Sequence, residues 1–185
     1  MKQFSVKALT GAAILIALAT VTSLIKVFSF PFGGSITLCS MLFIAYVGFA
    51  YSYKVAFTAS IAYGLLQFVI KPEFYTPLQV IIDYLFAFGG MGVSGFFCFI
   101  PQKSEKENHR RLITGFLLAI FVRWVFSTIS GYVFWSEYAW EGWNPFIYSM
   151  TYNGIYIFSE GILTIIVLYI PAVRKALVRL TTSLK

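Results

Sequence analysis

The chain has 185 residues, of which 59% are hydrophobic and only 11% charged, and its mean hydropathy is +0.80. A soluble domain carries roughly 25% charged side chains, so this composition excludes one and places the chain in a bilayer. The net charge of +7 comes from basic residues flanking apolar runs, as orientation in a membrane requires, and is not a sign of nucleic-acid binding.

Six apolar runs, each near the roughly 20 residues that cross a hydrocarbon core, predict a single all-α domain, 1–185, built as a six-transmembrane-helix bundle. The predicted helices cover 8–28, 36–51, 55–70, 77–100, 112–134 and 145–169. The first run follows Lys2 and Lys7. A signal peptide would share its basic start and apolar core, but no soluble region follows that would need export, so it reads as helix 1. Within it Ala13 and Ala17 form a small-x-x-x-small pair that lets another helix approach closely. Residues 28–38, FSFPFGGSITL, break the helix through Pro31 and the pair Gly33 and Gly34. They read either as a lid over a site or as an interfacial anchor of Phe28, Phe30 and Phe32.

Ser52 to Lys54 turns helix 2 into helix 3, and KPEFYTP leads into helix 4. Thr76 suits the N-cap there and Pro77 the first helical position, where its missing N–H costs nothing. Asp83 and Tyr84 lie near the start of helix 4. Gly89, Gly90, Gly92, Ser94 and Gly95 follow, as tight helix packing requires. The polar segment QKSEKENHRR, 102–111, reads as a solvated loop before helix 5. Asn144 and Pro145 repeat the cap-then-proline start for helix 6, which Pro171 ends after Tyr169.

Six helices put both termini on one side. Eleven of the fourteen basic residues fall there: Lys2, Lys7, Lys54, Lys103, Lys106, Arg110, Arg111, Arg174, Lys175, Arg179 and Lys185. The positive-inside rule then makes both termini cytoplasmic. Glu73, Asp83, Glu137 and Glu141 gather at the other face, where only Lys26 and Lys71 are basic, so an outer vestibule would attract a cation.

Between helices 5 and 6 lies YVFWSEYAWEGWNPFIYSMTYN, 132–153, whose rings and Asn amide suit a flat polar ligand at a mostly apolar site. Ser127, Gly131 and Trp135 share one helical stripe by their i, i+4, i+8 spacing. At 1.5 Å per residue Asp83 lies about 9 Å below the start of helix 4 and Asn153 about 12 Å below that of helix 6. Three helices thus present polar or aromatic groups at one level. Asp83 could be a capping carboxylate, but it sits beyond the first turn, where that effect fades, and a carboxylate that deep marks a functional site. Trp135, Trp140 and Trp143 fit an aromatic belt as well as ligand contact. Tyr148 and Asn153 are about 140° apart around helix 6 and share a site only if it wraps that helix. Arg123 and Glu160 fall at nearly the same depth and are expected to pair, since unpaired charges in a bilayer are costly.

Cys39 and Cys98 lie toward opposite faces, so no disulfide is expected. One histidine, His109, and no Cys/His cluster leave a transition-metal site almost nothing to be built from. No nucleophile–base set, phosphate-cradling loop or metal-binding acidic cluster is present, so the chain reads as a binder and not as an enzyme.

The segments FPFGGSITL, DYLFAFGGMGVSG, RWVFSTISGYVFW and EYAWEGW followed by YSMTYN, in this order and spacing, resemble the thiamine-specific substrate-binding subunits (S components) of energy-coupling factor (ECF) transporters. That resemblance extends along nearly the whole chain. It implies capture of thiamine at a bacterial cell membrane by a multi-pass subunit. Transport then depends on a transmembrane coupling subunit and two ATPase subunits, which bind ATP; this chain holds no cofactor. The family's acid–Tyr pair maps to Asp83 and Tyr84, facing the thiazolium. Its stacking Trp maps to Trp135, with Trp140 nearby, and its pyrimidine-contacting Tyr and Asn map to Tyr148 and Asn153. Ser127 and Gly131 complete the substrate-binding set, and Ala13 with Ala17 correspond to the docking surface for the coupling subunit.

Ser127 stands where many members carry a stacking His, and Asp83 is a methylene shorter than the Glu of some. Thiamine's fixed positive charge, flat aminopyrimidine and hydroxyl match Asp83, the aromatic rings and Asn153 in turn. A thiamine precursor, pyrimidine or thiazole, or another vitamin is the alternative ligand. A structural membrane protein is the alternative class.

Overall fold

The computed structural model describes residues 5–73 and 76–184. Lys2 and Lys185 of the charge count, and Phe74 and Tyr75 before helix 4, lie outside them. The first helix, α1 (Val6–Leu24), opens on Ser5, whose hydroxyl accepts the Ala8 N–H at 3.1 Å. It ends short of the expected Phe28 because the chain turns extended. Strand β1 (Lys26–Ser29) pairs antiparallel with β2 (Ser35–Thr37), and Phe28 faces Ile36 across them. A single 3₁₀ turn, Pro31–Gly33, closes this hairpin, and Gly33 holds φ 97°, where a side chain would be strained. The expected irregular segment is therefore a hairpin.

Helix α2 (Ser40–Ala50) starts later than predicted because residues 35–37 belong to β2. Every residue in it except Phe43 is buried. A helix that is apolar on all sides belongs at the centre of a bundle, and here α1, α3, α4 and α5 surround it. Helix α3 (Tyr53–Ile70) follows.

Helix α4 (Pro77–Phe97) was expected to be regular to Ile100 and is not. An α-turn (Pro77–Val80) gives way to a π-helical turn (Ile81–Phe86), then Ala87–Gly89, then a 3₁₀ stretch (Gly90–Phe97). The Thr76 hydroxyl caps it by accepting the Gln79 N–H at 3.2 Å. Gly64 of α3 packs directly on the π turn, since a Cβ there would collide with the Tyr84 carbonyl. After Phe97 the backbone leaves the helix, and Phe99 N–H donates to the Phe49 carbonyl at 2.7 Å.

Helix α5 (Glu105–Phe134) begins within the segment expected to be a loop. Ser104 and Glu107 form a reciprocal capping box, with Ser104 N–H to Glu107 at 3.0 Å and Glu107 N–H to Ser104 at 3.3 Å. Helix α6 (Pro145–Tyr169) is capped by Asn144, whose side-chain Oδ1 accepts from the Phe146 and Ile147 N–H groups. Pro171 ends α6 and also starts α7 (Pro171–Leu184), which the sequence reading missed. The buried Tyr46 hydroxyl holds α7 in place by donating to the Leu177 carbonyl at 2.7 Å, with Thr181 Oγ1 also at 2.7 Å. Arg174 pairs with Glu105 at 2.8 Å.

Among the described residues α1, α3, α4, α5 and α6 are long and apolar enough to cross a membrane, and α2 is shorter. Exposed side chains such as Ile14, Leu18, Leu65, Leu117, Ile162 and Ile166 give these helices an apolar outer surface that suits lipid. Cys39 and Cys98 are both free.

Candidate functional site

Where α1, α3 and α5 end and α4 and α6 begin, a cavity of about 250 Å³ opens, roofed by the hairpin. Its size is near the lower end of the roughly 300–1,000 Å³ range of small-molecule sites. The cavity brings together Asp83, Tyr84, Ser127, Gly131, Trp135, Tyr148 and Asn153, on three helices.

Asp83 and Tyr84 come from the π turn, which holds more residues per turn than an α-helix, so consecutive side chains diverge less in angle. One Asp83 oxygen accepts from the buried Gln79 amide at 3.2 Å. Among the described residues no cation pairs with Asp83. Tyr84 forms wall more than polar contact: its hydroxyl donates to the Lys71 carbonyl at 3.0 Å and accepts the Glu73 N–H at 3.1 Å. Beside it, Lys71 and Glu73 form a part-exposed ion pair at 2.5 Å.

From α5 come Ser127, Gly131 and Trp135 on the predicted stripe. A Cβ on Gly131 would collide with Ser149 Oγ and lie 3.1 Å from Asn153 Nδ2, so the missing side chain lets α5 and α6 meet here. Ser149 Oγ bridges them by donating to the Thr128 carbonyl at 2.8 Å. Asn153 is buried, as is Tyr148, and both line the cavity, which therefore wraps α6. The Asn153 amide nitrogen donates to the Ser149 carbonyl at 2.9 Å, and its oxygen accepts the Tyr156 hydroxyl at 2.7 Å.

Two groups of predicted residues lie elsewhere. Trp140 is 53% exposed and outside the lining, with its ring edge-on to Tyr148 at 5.3 Å and to Trp143 at 5.0 Å. Ala13 and Ala17 occupy the exposed face of α1, opposite the buried Ala8, Ala12, Leu15 and Ala19.

The expected pairing of Arg123 with Glu160 is not found. Glu160 is 3% exposed, and its carboxylate accepts from Thr37 N–H (3.0 Å), Thr37 Oγ1 (2.7 Å), Ser40 Oγ (3.0 Å) and Met41 N–H (3.1 Å). The positive N-terminal end of α2 has taken the place of the guanidinium. Arg123 lies instead over the Phe88 ring, 4.3 Å from its centroid.

Sequence reasoning also missed Tyr152 and Tyr156, although Tyr148, Tyr152 and Tyr156 repeat at i, i+4, i+8. Tyr152 fastens the hairpin roof: its hydroxyl donates to the Pro31 carbonyl and accepts the Gly34 N–H at 3.3 Å. Phe30 packs on Tyr152 and Tyr156 at 6.1 and 6.5 Å, and so serves the roof, whereas Phe28 is exposed. The Phe32 side chain lies outside the described ones. A cavity lined by the carboxylates of Glu73, Asp83 and Glu160, by side-chain amides and by several rings has the groups to bind a flat cationic molecule.

The family model described as Thiamine transporter protein (Thia_YuaJ) matches residues 9–179. The chain belongs to this family. It is 32% identical over 164 residues to the thiamine transporter ThiT of Bacillus subtilis strain 168, across 84% of this chain and 85% of that protein. To the thiamine transporter ThiT of Lacticaseibacillus paracasei it is 28% identical over 118 residues, 59% of each chain. Its fold is similar to a solved structure of ThiT from Listeria monocytogenes, with TM-score 0.74 and 24% identity over 90% of this chain and 96% of that one. The thiamine transporter family is one of transporters, not enzymes. Its bacterial members and the apolar helices make this chain a multi-pass bacterial membrane protein.

Proposed function

We propose that this protein captures thiamine in the cavity as the substrate-binding subunit of an ATP-driven ECF importer. The observation that carries this reading is the convergence of Asp83, Trp135, Tyr148 and Asn153 on one covered cavity in a chain of the thiamine transporter family. Among the described residues Asp83 has no ion-pair partner, and it would face the thiazolium, whose charge needs a counter-ion in a water-poor site. Trp135 would stack on the ligand, and Tyr148 and Asn153 would take the aminopyrimidine. Six spans, with α2 as the short one and both termini cytoplasmic, would put the cavity at the outer face. The exposed Ala13 and Ala17 surface would receive the coupling subunit, which with two ATPase subunits supplies the energy.

Titrating the purified protein's Trp fluorescence with thiamine tests the ligand, because Trp135 lines the cavity. Saturable quenching below micromolar ligand is expected, and no change at micromolar thiamine would refute it. Asp83→Asn should weaken thiamine about 10- to 100-fold, the scale of a lost charge-assisted contact. It should leave an uncharged pyrimidine precursor unaffected. Co-purification with an ATPase pair tests the assembly.

A further inference from the structure

Helix α7 does not run on from α6 but crosses the end of the bundle opposite the cavity. Arg174 pairs with Glu105 at the start of α5 at 2.8 Å, and the Leu177 carbonyl and Thr181 hydroxyl meet Tyr46 of α2, each at 2.7 Å. The helix also packs on α1. Had it continued α6, Thr181 would stand about 15 Å beyond the end of that span, at 1.5 Å per residue. Its contact with Tyr46, inside α2, lays α7 back against the ends of the spans instead.

Helix geometry sorts the side chains of α7 into rows four residues apart. Leu177 and Thr181 form the row against the bundle, where Thr181 is fully buried and Leu177 packs on the core. Lys175 and Arg179 form a second row, exposed, and among the described residues neither has an ion-pair partner. Between these two, at about 100° per residue, runs a third row of Ala176 and Leu180. It is exposed as well, Leu180 by 42%. An apolar row beside a basic one is the pattern of a helix lying in a membrane interface, with acyl chains on the first and headgroups on the second. The first turns of α5 add Lys106 and Arg110, both exposed. The acids beside them, Glu105 and Glu107, are already paired with Arg174 and Lys103. This end of the molecule therefore carries positive charge that the protein does not neutralise.

We propose that α7 is an interfacial helix that binds anionic phospholipid, with Lys175 and Arg179 on the headgroup phosphate and Ala176 and Leu180 against the acyl chains. The proposal does not depend on which ligand the cavity takes. Charge complementarity selects an anionic partner, and the apolar row selects a lipid over a free anion. That row faces sideways from the bundle, the direction in which the exposed apolar side chains of the spans already meet lipid.

The test titrates the purified full chain in detergent with phosphatidylglycerol or phosphatidylcholine of the same acyl chains and counts bound lipid by native mass spectrometry. A basic residue beside an anionic headgroup is worth about fivefold in affinity, so the pair should favour phosphatidylglycerol by about 25-fold. Lys175→Gln together with Arg179→Gln should remove that preference and leave phosphatidylcholine binding and the lipid-free thermal melt unchanged. The single substitutions, each expected to cost about fivefold, serve if the double one does not fold. Leu180→Ser should weaken both lipids. Lys54→Gln, in the first turn of α3, removes one charge outside the row and should change phosphatidylglycerol binding less than about twofold, against about fivefold for a row residue. Equal binding of the two lipids by the unsubstituted protein would overturn the proposal, as would a loss from Lys54→Gln as large as that from Lys175→Gln, which would reduce the effect to net charge. Displacement of phosphatidylglycerol by an equal concentration of glycerol phosphate would make the row a site for free anions and overturn it too. So would unchanged lipid binding by the double variant together with lost co-purification of an ATPase pair, which would make the row a protein-docking surface.

Discussion

Replacing Glu160 by glutamine should destabilise the protein by about 3 kcal/mol. The carboxylate is 3% exposed and accepts from two backbone N–H groups and two hydroxyls, one of each per oxygen. A glutamine keeps one accepting oxygen and turns an NH₂ toward the other pair. The hydroxyl there can rotate and accept, but the backbone N–H of Thr37 or Met41 cannot, and it is left buried against another donor. Losing a hydrogen bond to a charged group costs roughly 1.5–3 kcal/mol, and an orphaned buried donor adds roughly 1–3; partial relaxation brings the sum to about 3. For a chain of this size each kcal/mol moves Tm by roughly 2–4 °C, so a fall of about 6–12 °C is expected. A thermal melt of the detergent-solubilised protein, followed by Trp fluorescence, measures it. A Tm within about 2 °C of the unsubstituted protein would refute the claim that Glu160 fastens the hairpin and α2 to α6.

Gly131→Ala should lower thiamine affinity about tenfold or more, because its Cβ would push on Ser149 and Asn153; overpacking of this kind costs roughly 1–3 kcal/mol. Fluorescence titration beside a melt separates that local effect from unfolding. Tyr46→Phe removes the hydroxyl that donates to the Leu177 carbonyl and shares a hydrogen bond with Thr181 Oγ1, so α7 should come loose. Trypsin should then cut faster after Arg174, Lys175 or Arg179, with thiamine affinity unchanged.

The parts of the fold that follow local rules were legible in the sequence. Thr76 and Asn144 cap the helices they were expected to cap. The Ser127, Gly131 and Trp135 stripe lines the cavity because i, i+4, i+8 spacing is fixed by helix geometry. The hairpin was hidden because β1 is exposed along its whole length and shows no alternation of polar and apolar residues. Helix α7 was hidden behind Pro171, a residue that stops one helix as readily as it starts another. The partners of Glu160 were out of reach for a different reason: Thr37 is 123 positions away, and depth along a helix says nothing about which neighbour faces it. Similar depth suggested Arg123, but rotation about the helix axis decides contact.

The polar groups of the cavity are not equally ready for a ligand. Asn153 is satisfied at both ends by Ser149 and Tyr156, so a ligand must exchange one hydrogen bond for another there, with little net gain. Asp83 accepts from the Gln79 amide and Arg123 lies on the Phe88 ring, and among the described residues neither has an ion-pair partner. On the thiamine reading Asp83 would therefore contribute more to affinity than Asn153, which would contribute discrimination, since a ligand that cannot replace the bonds it breaks leaves the amide unpaired. Asp83 stands on the π turn, and the roof that covers the cavity is a hairpin held by Tyr152 and Glu160. Irregular backbone inside a membrane protein needs other protein groups to satisfy it. That requirement explains why the roof sits where α6 supplies Tyr152 and Glu160.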